Sequence, residues 1–280
     1  MAIETLSLTS RDGTRLHGLR ALPATTPRAA VLICHGLGEH SGRYGHVIEA
    51  LNAEGCAAYA VDLRGHGRSD GRRGHVMRWQ EYVDDVAALF PVADADLPTE
   101  QPRLLLGHSM GGLVSVHTAL AHGQRLKGLA LSAPLLGIAT PVPAIKNVAG
   151  RLLSRCWPTL TMANELDANL ISRDPETVRA YLDDPLVHDR VSARWFTEML
   201  AALEAAQARA SELTMPLWLA HGTADGLTDP EGSRRFIERV KGPVTAHFLD
   251  GYYHEIFNEP PAERARAIEL LVTWVRDQLA

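Results

Sequence analysis

The sharpest chemical signal in the chain is a serine flanked by glycines, Gly107-His108-Ser109-Met110-Gly111. It follows the apolar run RLLL and precedes a helical pattern, the setting of a strand-to-helix turn that projects a nucleophilic Oγ. Side chains at Gly107 or Gly111 would collide with neighbouring backbone in such a turn. A serine at its ordinary pKa is a weak nucleophile, so it needs a base within reach and an acid to orient that base. Asp225 follows the run PLWLA within HGTAD, and His254 follows VTAHFL within DGYYH, so both fall just past expected strands. Asp225 is therefore assigned as the orienting acid, with Asp229 as a rival four residues on. His254 is assigned as the base, because His247, the alternative downstream of Asp225, lies inside a strand pattern. Backbone amides would hold the oxyanion: that of Met110, after the nucleophile, and that of Leu37, in the His35-Gly36-Leu37-Gly38 stretch after AAVLIC. The chemistry implied is acyl transfer through serine.

These groups are far apart in the chain, so the elements between them must form a scaffold. Short continuous apolar runs at 29–34, 56–62, 103–107, 128–132, 216–221 and 244–249 suit strands covered on both faces of a parallel sheet. Helical periodicity lies between them, as in Trp79, Tyr82, Val83, Val86 and Leu89, and again in Leu113, Val116 and Leu120. The opening TLSLTSRDGTRLHGLRAL predicts an antiparallel edge hairpin with a type I′ turn at Asp12-Gly13. Alternation stops after Pro134. Residues 135–214 read as an all-helical cap, with Asp174-Pro175 as a helix start and Phe196, Met199, Leu200 and Leu203 as an apolar face. Behind Pro260-Pro261 a closing helix carries Ile268, Leu271, Val272, Val275 and Leu279. The expected architecture is a core of 1–134 and 215–280, a mostly parallel eight-stranded sheet flanked by helices, with the cap 135–214 inserted.

Composition narrows the function classes. The chain has 280 residues, 46% hydrophobic and 22% charged, as expected of a globular protein with a packed core. With 28 Lys+Arg against 33 Asp+Glu, its net charge of −5 offers no polyanion-binding surface and argues against nucleic acid. Cys34, Cys56 and Cys156 form no CxxC pair and read as free thiols of a reduced interior. The start lacks an apolar signal region, and no run approaches the ~18 apolar residues that cross a bilayer, so the expected compartment is the cytoplasm. His35, His40, His46, His66 and His75 crowd forty residues, yet no HExxH or Cys/His ligand spacing accompanies them, so no metal and no cofactor is expected.

Six longer stretches carry a family resemblance: HGLGEHSGRY at 35–44, DLRGHGRSDGRRG at 62–74, GHSMGG at 107–112, DPLVHDRVSARW at 184–195, HGTADGLTD at 221–229 and YHEIFNEP at 253–260. The chain resembles the α/β-hydrolases, and within them the monoacylglycerol lipase and lysophospholipase group, classed beside serine aminopeptidase-like hydrolases. The resemblance implies Ser109, Asp225 and His254 as a catalytic triad, and Leu37 and Met110 as oxyanion amides. It also implies that Glu39 and Arg43 shape the polar end of a site that takes a glycerol-like leaving group. Arg64 and Ser69 would be structural hydrogen-bonders beneath the serine turn. Some family members carry a second histidine three residues past the catalytic one; this chain has Phe257, which leaves the leaving-group preference open.

The implied substrate is a single-chain lipid ester such as a monoacylglycerol. A lysophospholipase, carboxylesterase or thioesterase would use the same parts. An aminopeptidase or amidase would further need cap carboxylates such as Glu165 or Asp167 to hold an ammonium, and a non-catalytic binding protein would have dispensed with a triad member. The stretch 135–165 mixes apolar runs with Lys146, Arg151 and Arg155. It reads as a lid over an acyl pocket, with transient contact to a lipid surface as a second use of the same segment.

Overall fold

The computed structural model describes residues 2–98, 100–139 and 144–279, and the side chains of 144–147, Lys146 among them, lie outside the description. In chain order, β1 (Ile3–Thr9), β2 (Arg15–Ala21), β3 (Ala29–Cys34), β4 (Cys56–Val61), β5 (Arg103–His108) and β6 (Gly128–Ser132) precede a short ribbon of β7 (Thr161–Ala163) and β8 (Arg190–Ser192). The chain then returns through β9 (Leu217–Gly222) and β10 (Val244–Leu249). One eight-stranded sheet has the order β1-β2-β4-β3-β5-β6-β9-β10. Only β2 opposes its neighbours, and every other pairing in the sheet apart from its two is parallel.

Period-two geometry divides the core. Along β3, Ala30, Leu32 and Cys34 face one layer while Ala29, Val31 and Ile33 face the other. α1 (Gly45–Ala53) packs on the Val31 side through Val47, Ile48 and Leu51. α2 (Gln80–Ala87), α3 (Leu89–Asp96) and α4 (Met110–His122) cover the Leu32 side with Tyr82, Val86, Phe90, Leu113 and Val116. Both faces of β3, β4, β5, β6 and β9 are thus buried, which is why their sequences run apolar without alternation.

α5 (Ala144–Cys156), α6 (Pro175–Asp183) and α7 (Ala193–Arg209) lie between β6 and β9. α6 starts as expected, with Pro175 at its first turn and the Asp174 carboxylate accepting from Glu176 N at 2.9 Å. α7 differs in detail: its fully buried seam is Trp195, Met199, Ala202 and Ala206, whereas Phe196, Leu200 and Leu203 are half-buried against α4 and α5. The segment is also not all-helical. β7 and β8 pair antiparallel, Thr161 opposite Ser192, and strands of three residues are too short to leave a periodic trace in the sequence. α8 (Pro230–Ile237) and α9 (Pro261–Leu279) complete the core, α9 beside α1 with Leu271, Val272 and Val275 buried and Ala267 and Trp274 added to the expected set.

The hairpin connection is wider than a two-residue turn. Gly13 N donates to Ser10 O and Ser10 N to Thr14 O, both at 2.9 Å, with Gly13 in the left-handed region at φ 89°. The glycine therefore ends a four-residue turn instead of sitting at the centre of a type I′ turn. Among the described residues no helix is long and apolar enough to cross a membrane.

Candidate active site

β5 delivers the chain into α4 through Ser109, whose backbone lies at φ 54°, ψ −121°, a strained conformation for any residue with a side chain. The surrounding structure holds it there. Ser109 N donates to Ser132 O at 3.0 Å, and Ser109 O accepts from Leu135 N at 2.9 Å and from the first turn of α4. A Cβ on Gly107 would come within 2.5 Å of Gly111 O, and one on Gly111 within 2.2 Å of His35 O, so the turn closes only with glycine at both places.

The three residues expected to work together meet at the C-terminal edge of the sheet. His254 Nε2 lies 2.8 Å from Ser109 Oγ, and its Nδ1 lies 2.7 Å from Asp225 Oδ2. Asp229, the rival acid, is the N-cap of α8 instead, its carboxylate accepting from Glu231 N at 3.0 Å. Asp225 is held on every side. Oδ1 accepts from Leu227 N at 2.8 Å and Thr228 N at 3.0 Å, while Oδ2 accepts from Thr228 Oγ1 at 2.9 Å and stands 3.1 Å from His221 Nε2. Burial opposes its charge, but His254 and His221 outweigh burial and keep the carboxyl far below the usual range. The sequence reading did not single out His221. It is the penultimate residue of β9 and fully buried, with Nδ1 2.8 Å from Ser233 Oγ, and no spacing rule distinguishes such a histidine from any other near a strand end.

Burial pushes the His254 pKa down, but the facing Asp225 carboxylate more than offsets this, and the net shift is upward from 6.5. Catalysis by a serine needs the neutral imidazole as base. We therefore expect kcat/KM to fall as pH drops, with the midpoint of the acid limb above the ~6.5 of free histidine; a pH–rate profile with its midpoint below that value would contradict the arrangement. His108 lies beside this pair, its ring 4.8 Å from that of His254, and burial followed by the His254 charge lowers it to about 4. It is neutral at pH 7.

Gly36, Leu37 and Met110 line a cavity of about 230 Å³ above Ser109 and His254. Its remaining wall is largely apolar and comes from the segment between β6 and β9, including Ile138, Leu166, Ile171, Val191, Phe196 and Met199. Asp167 also borders it, with its carboxylate engaged by Asn169 N and Nδ2 at 2.9 and 2.8 Å; Glu165 is outside the wall. Glu39 lines the cavity, whereas Arg43 does not: it stands behind, between Glu39 and Glu255. Phe257 turns away into the opposite core layer and stacks on Trp218 at 6.3 Å, so position 257 presents no side chain to the site.

Arg64 and Ser69 play the structural parts expected of them. Arg64 joins Asp85, Asp12 and Ser10, and Ser69 Oγ donates to Asp62 O while accepting from His17 N at 2.8 Å. The crowded histidines have separate hydrogen-bond partners, His35 accepting from Leu63 N, His46 bonding Phe257 O and His75 meeting Ser192 Oγ, while the His35 and His66 rings lie 5.2 Å apart. Among the described residues, no three His, Cys, Asp or Glu side chains are grouped to hold a metal ion.

The family model described as serine aminopeptidase, S33 matches residues 25–261, a span that runs from before β3 to beyond His254. The chain belongs to this family of α/β-hydrolases. It is a serine hydrolase. It is 38% identical to a monoacylglycerol lipase of Mycolicibacterium smegmatis over 92% of this chain and 91% of that one. It is 34% identical to the phospholipase YtpA of Bacillus subtilis over 86% and 93% of the two chains. The crystal structure of Paleococcus ferrophilus monoacylglycerol lipase superposes with a TM-score of 0.85 at 36% identity, covering 92% of this chain and 98% of that one.

Proposed function

We propose that this serine hydrolase cleaves monoacylglycerols, with Ser109, His254 and Asp225 as its triad and the Leu37 and Met110 amides as its oxyanion hole. The observation that carries the reading is the hydrogen-bonded chain Ser109–His254–Asp225 opening onto a cavity with an apolar wall. His254 Nε2 takes the Ser109 proton as Oγ attacks the ester carbonyl carbon. The carbonyl oxygen becomes an oxyanion facing the two amides, and the imidazolium returns its proton to the departing glycerol oxygen as the C–O bond breaks. Water, deprotonated by the same imidazole, then attacks the acyl-serine and releases the fatty acid, restoring the Ser109 hydroxyl. Asp225 stays ionised throughout.

Residues 135–214, of which 140–143 lie outside the described residues, are the cap in this reading, and its inner wall accepts the acyl chain. Its outer side also has apolar surface, with Val148 at 67% and Leu152 at 62% exposure on α5 and Trp157 just after it, beside the exposed Arg151 and Arg155. We assign this face to transient contact with lipid, where apolar side chains flanked by basic ones favour an anionic interface. Buried free thiols at Cys34 and Cys56 fit a cytoplasmic setting.

Monoacylglycerols of graded acyl length, run beside lysophosphatidylcholine and an aminoacyl anilide, test the assignment. The expected order has a monoacylglycerol highest in kcat/KM and the anilide lowest. A preference for lysophosphatidylcholine would move the assignment toward the phospholipase relative, and fast anilide cleavage would overturn it. Repeating the panel on Leu152→Ser, which loses turnover only on vesicle-borne substrate if the α5 face docks there, tests the surface.

A further inference from the structure

Two carboxylates from opposite halves of the site share one guanidinium. Glu39 belongs to the loop after β3, which carries the oxyanion amide of Leu37. Glu255 directly follows the base, His254, in the loop after β10. Three strands of the sheet, β5, β6 and β9, lie between β3 and β10, so no ladder hydrogen bond ties the two loops together. Arg43 does. Its Nη1 donates to Glu39 Oε2 at 2.9 Å and to Glu255 Oε1 at 2.6 Å, and its Nη2 donates to Glu255 Oε2 at 2.7 Å. The three side chains are only 4%, 11% and 6% exposed for Glu39, Arg43 and Glu255.

Each carboxylate is fixed at its far side as well. Glu39 Oε1 accepts from Gly36 N at 2.6 Å, fixing the His35–Gly36 peptide one unit ahead of the Leu37 N–H, and from Tyr44 OH at 2.8 Å. Glu255 Oε2 also accepts from Asn258 Nδ2 at 2.9 Å, and Glu255 N donates to Ile171 O at 2.7 Å. The ring of Tyr181 lies over the guanidinium, 4.9 Å from its centre. Glu39 and Glu255 reach the cavity wall while Arg43 stands behind it, its donors turned toward the carboxylates. A planar guanidinium holding one carboxylate bidentately and a second through a shared nitrogen fixes both at set distances, which a flexible ammonium cannot do.

We propose that Arg43 is a positioning residue that couples the oxyanion loop to the loop of His254, so that Leu37 N–H and the imidazole keep their register around Ser109 for any acyl substrate. Its role is independent of the leaving group. The inference rests on the serine mechanism above and not on the monoacylglycerol assignment.

The test compares Arg43→Lys and Glu255→Gln with the parent enzyme on a monoacylglycerol and a p-nitrophenyl ester of the same acyl chain. It adds the rate at which a fluorophosphonate inactivates Ser109, a step with no glycerol to recognise. A misplacement of about 1 Å in a catalytic group can cost on the order of 10²-fold in rate. We expect kcat to fall roughly 10- to 100-fold by the same factor for both esters, with KM little changed and inactivation slowed in parallel. Glu255→Gln should also move the acid limb of the pH profile down, because it removes a negative charge that favours the His254 imidazolium.

A loss confined to the glycerol ester and carried by KM would show leaving-group recognition and overturn the proposal. Unchanged aryl-ester kcat and inactivation, or a lowered Tm with full activity per folded molecule, would overturn it as well. Should Arg43→Lys fail to fold, Glu255→Gln, which keeps side-chain shape, carries the same comparison. A parent enzyme that turns over the aryl ester and ignores monoacylglycerol would defeat the substrate assignment while leaving this test intact.

Discussion

Ser109→Ala lowers kcat by on the order of 10⁶-fold, the scale seen when a serine hydrolase loses its nucleophile, and leaves the fold in place. The structural reason for the second half of that expectation is specific. Ser109 Oγ makes its hydrogen bond to His254 and provides no cap bond to α4, so its removal takes nothing from the backbone of the turn. The strain at φ 54° is a property of any residue bearing a Cβ and is the same for alanine. Melting temperature should therefore move by no more than about the equivalent of 0.5–1 kcal/mol, the net worth of one hydrogen bond. Fluorophosphonate labelling should vanish with activity. Turnover persisting in the purified variant would mean that another group is the nucleophile.

Asp225→Asn is expected to cost about 10⁴-fold in kcat, because the amide selects the wrong histidine tautomer. Its orientation is decided by the neighbours. Oδ1 accepts from two backbone amides, Leu227 N and Thr228 N, so the asparagine carbonyl must take that place. The NH₂ group then replaces Oδ2 and points a donor at His254 Nδ1. Nδ1 must accept, the ring proton moves to Nε2, and Nε2 can no longer take the proton of Ser109. Asp229→Asn is the matched control: position 229 caps α8, asparagine caps as well as aspartate, and activity should stay near that of the parent. A loss under tenfold in Asp225→Asn, or a larger loss in Asp229→Asn, would reverse the assignment of the acid.

Much of the sheet was legible in the chain because its central strands are buried on both faces, and six-residue apolar runs such as AAVLIC and CAAYAV, too short for a buried helix, suit such strands. The serine turn was legible because its steric demands fall on fixed positions. A side chain at 107 would strike Gly111 and Ser115 and one at 111 would strike Cys34 and His35 at the end of the neighbouring β3, so the turn leaves a five-residue signature. The ribbon of β7 and β8 was not legible, since three-residue strands whose partners lie 27 to 31 positions apart have no periodicity to read. The hairpin was recognised but its turn was misjudged, because Asp-Gly suits both the centre and the end of a tight turn, and the flanking hydrogen bonds choose between them.

The linear order of residues was enough to nominate Ser109, Asp225 and His254, because each stands where an apolar strand gives out and steric or turn chemistry restricts the residue. The pairing of those groups with their supports was decided in three dimensions alone. His221 behind Asp225, Phe257 rotated into the core, and Arg43 withdrawn from the cavity to bridge Glu39 and Glu255 depend on which strand ends lie side by side. Residues 212 positions apart, such as Arg43 and Glu255, meet only because the sheet order brings their loops together, and short-range spacing along a chain carries no record of that order.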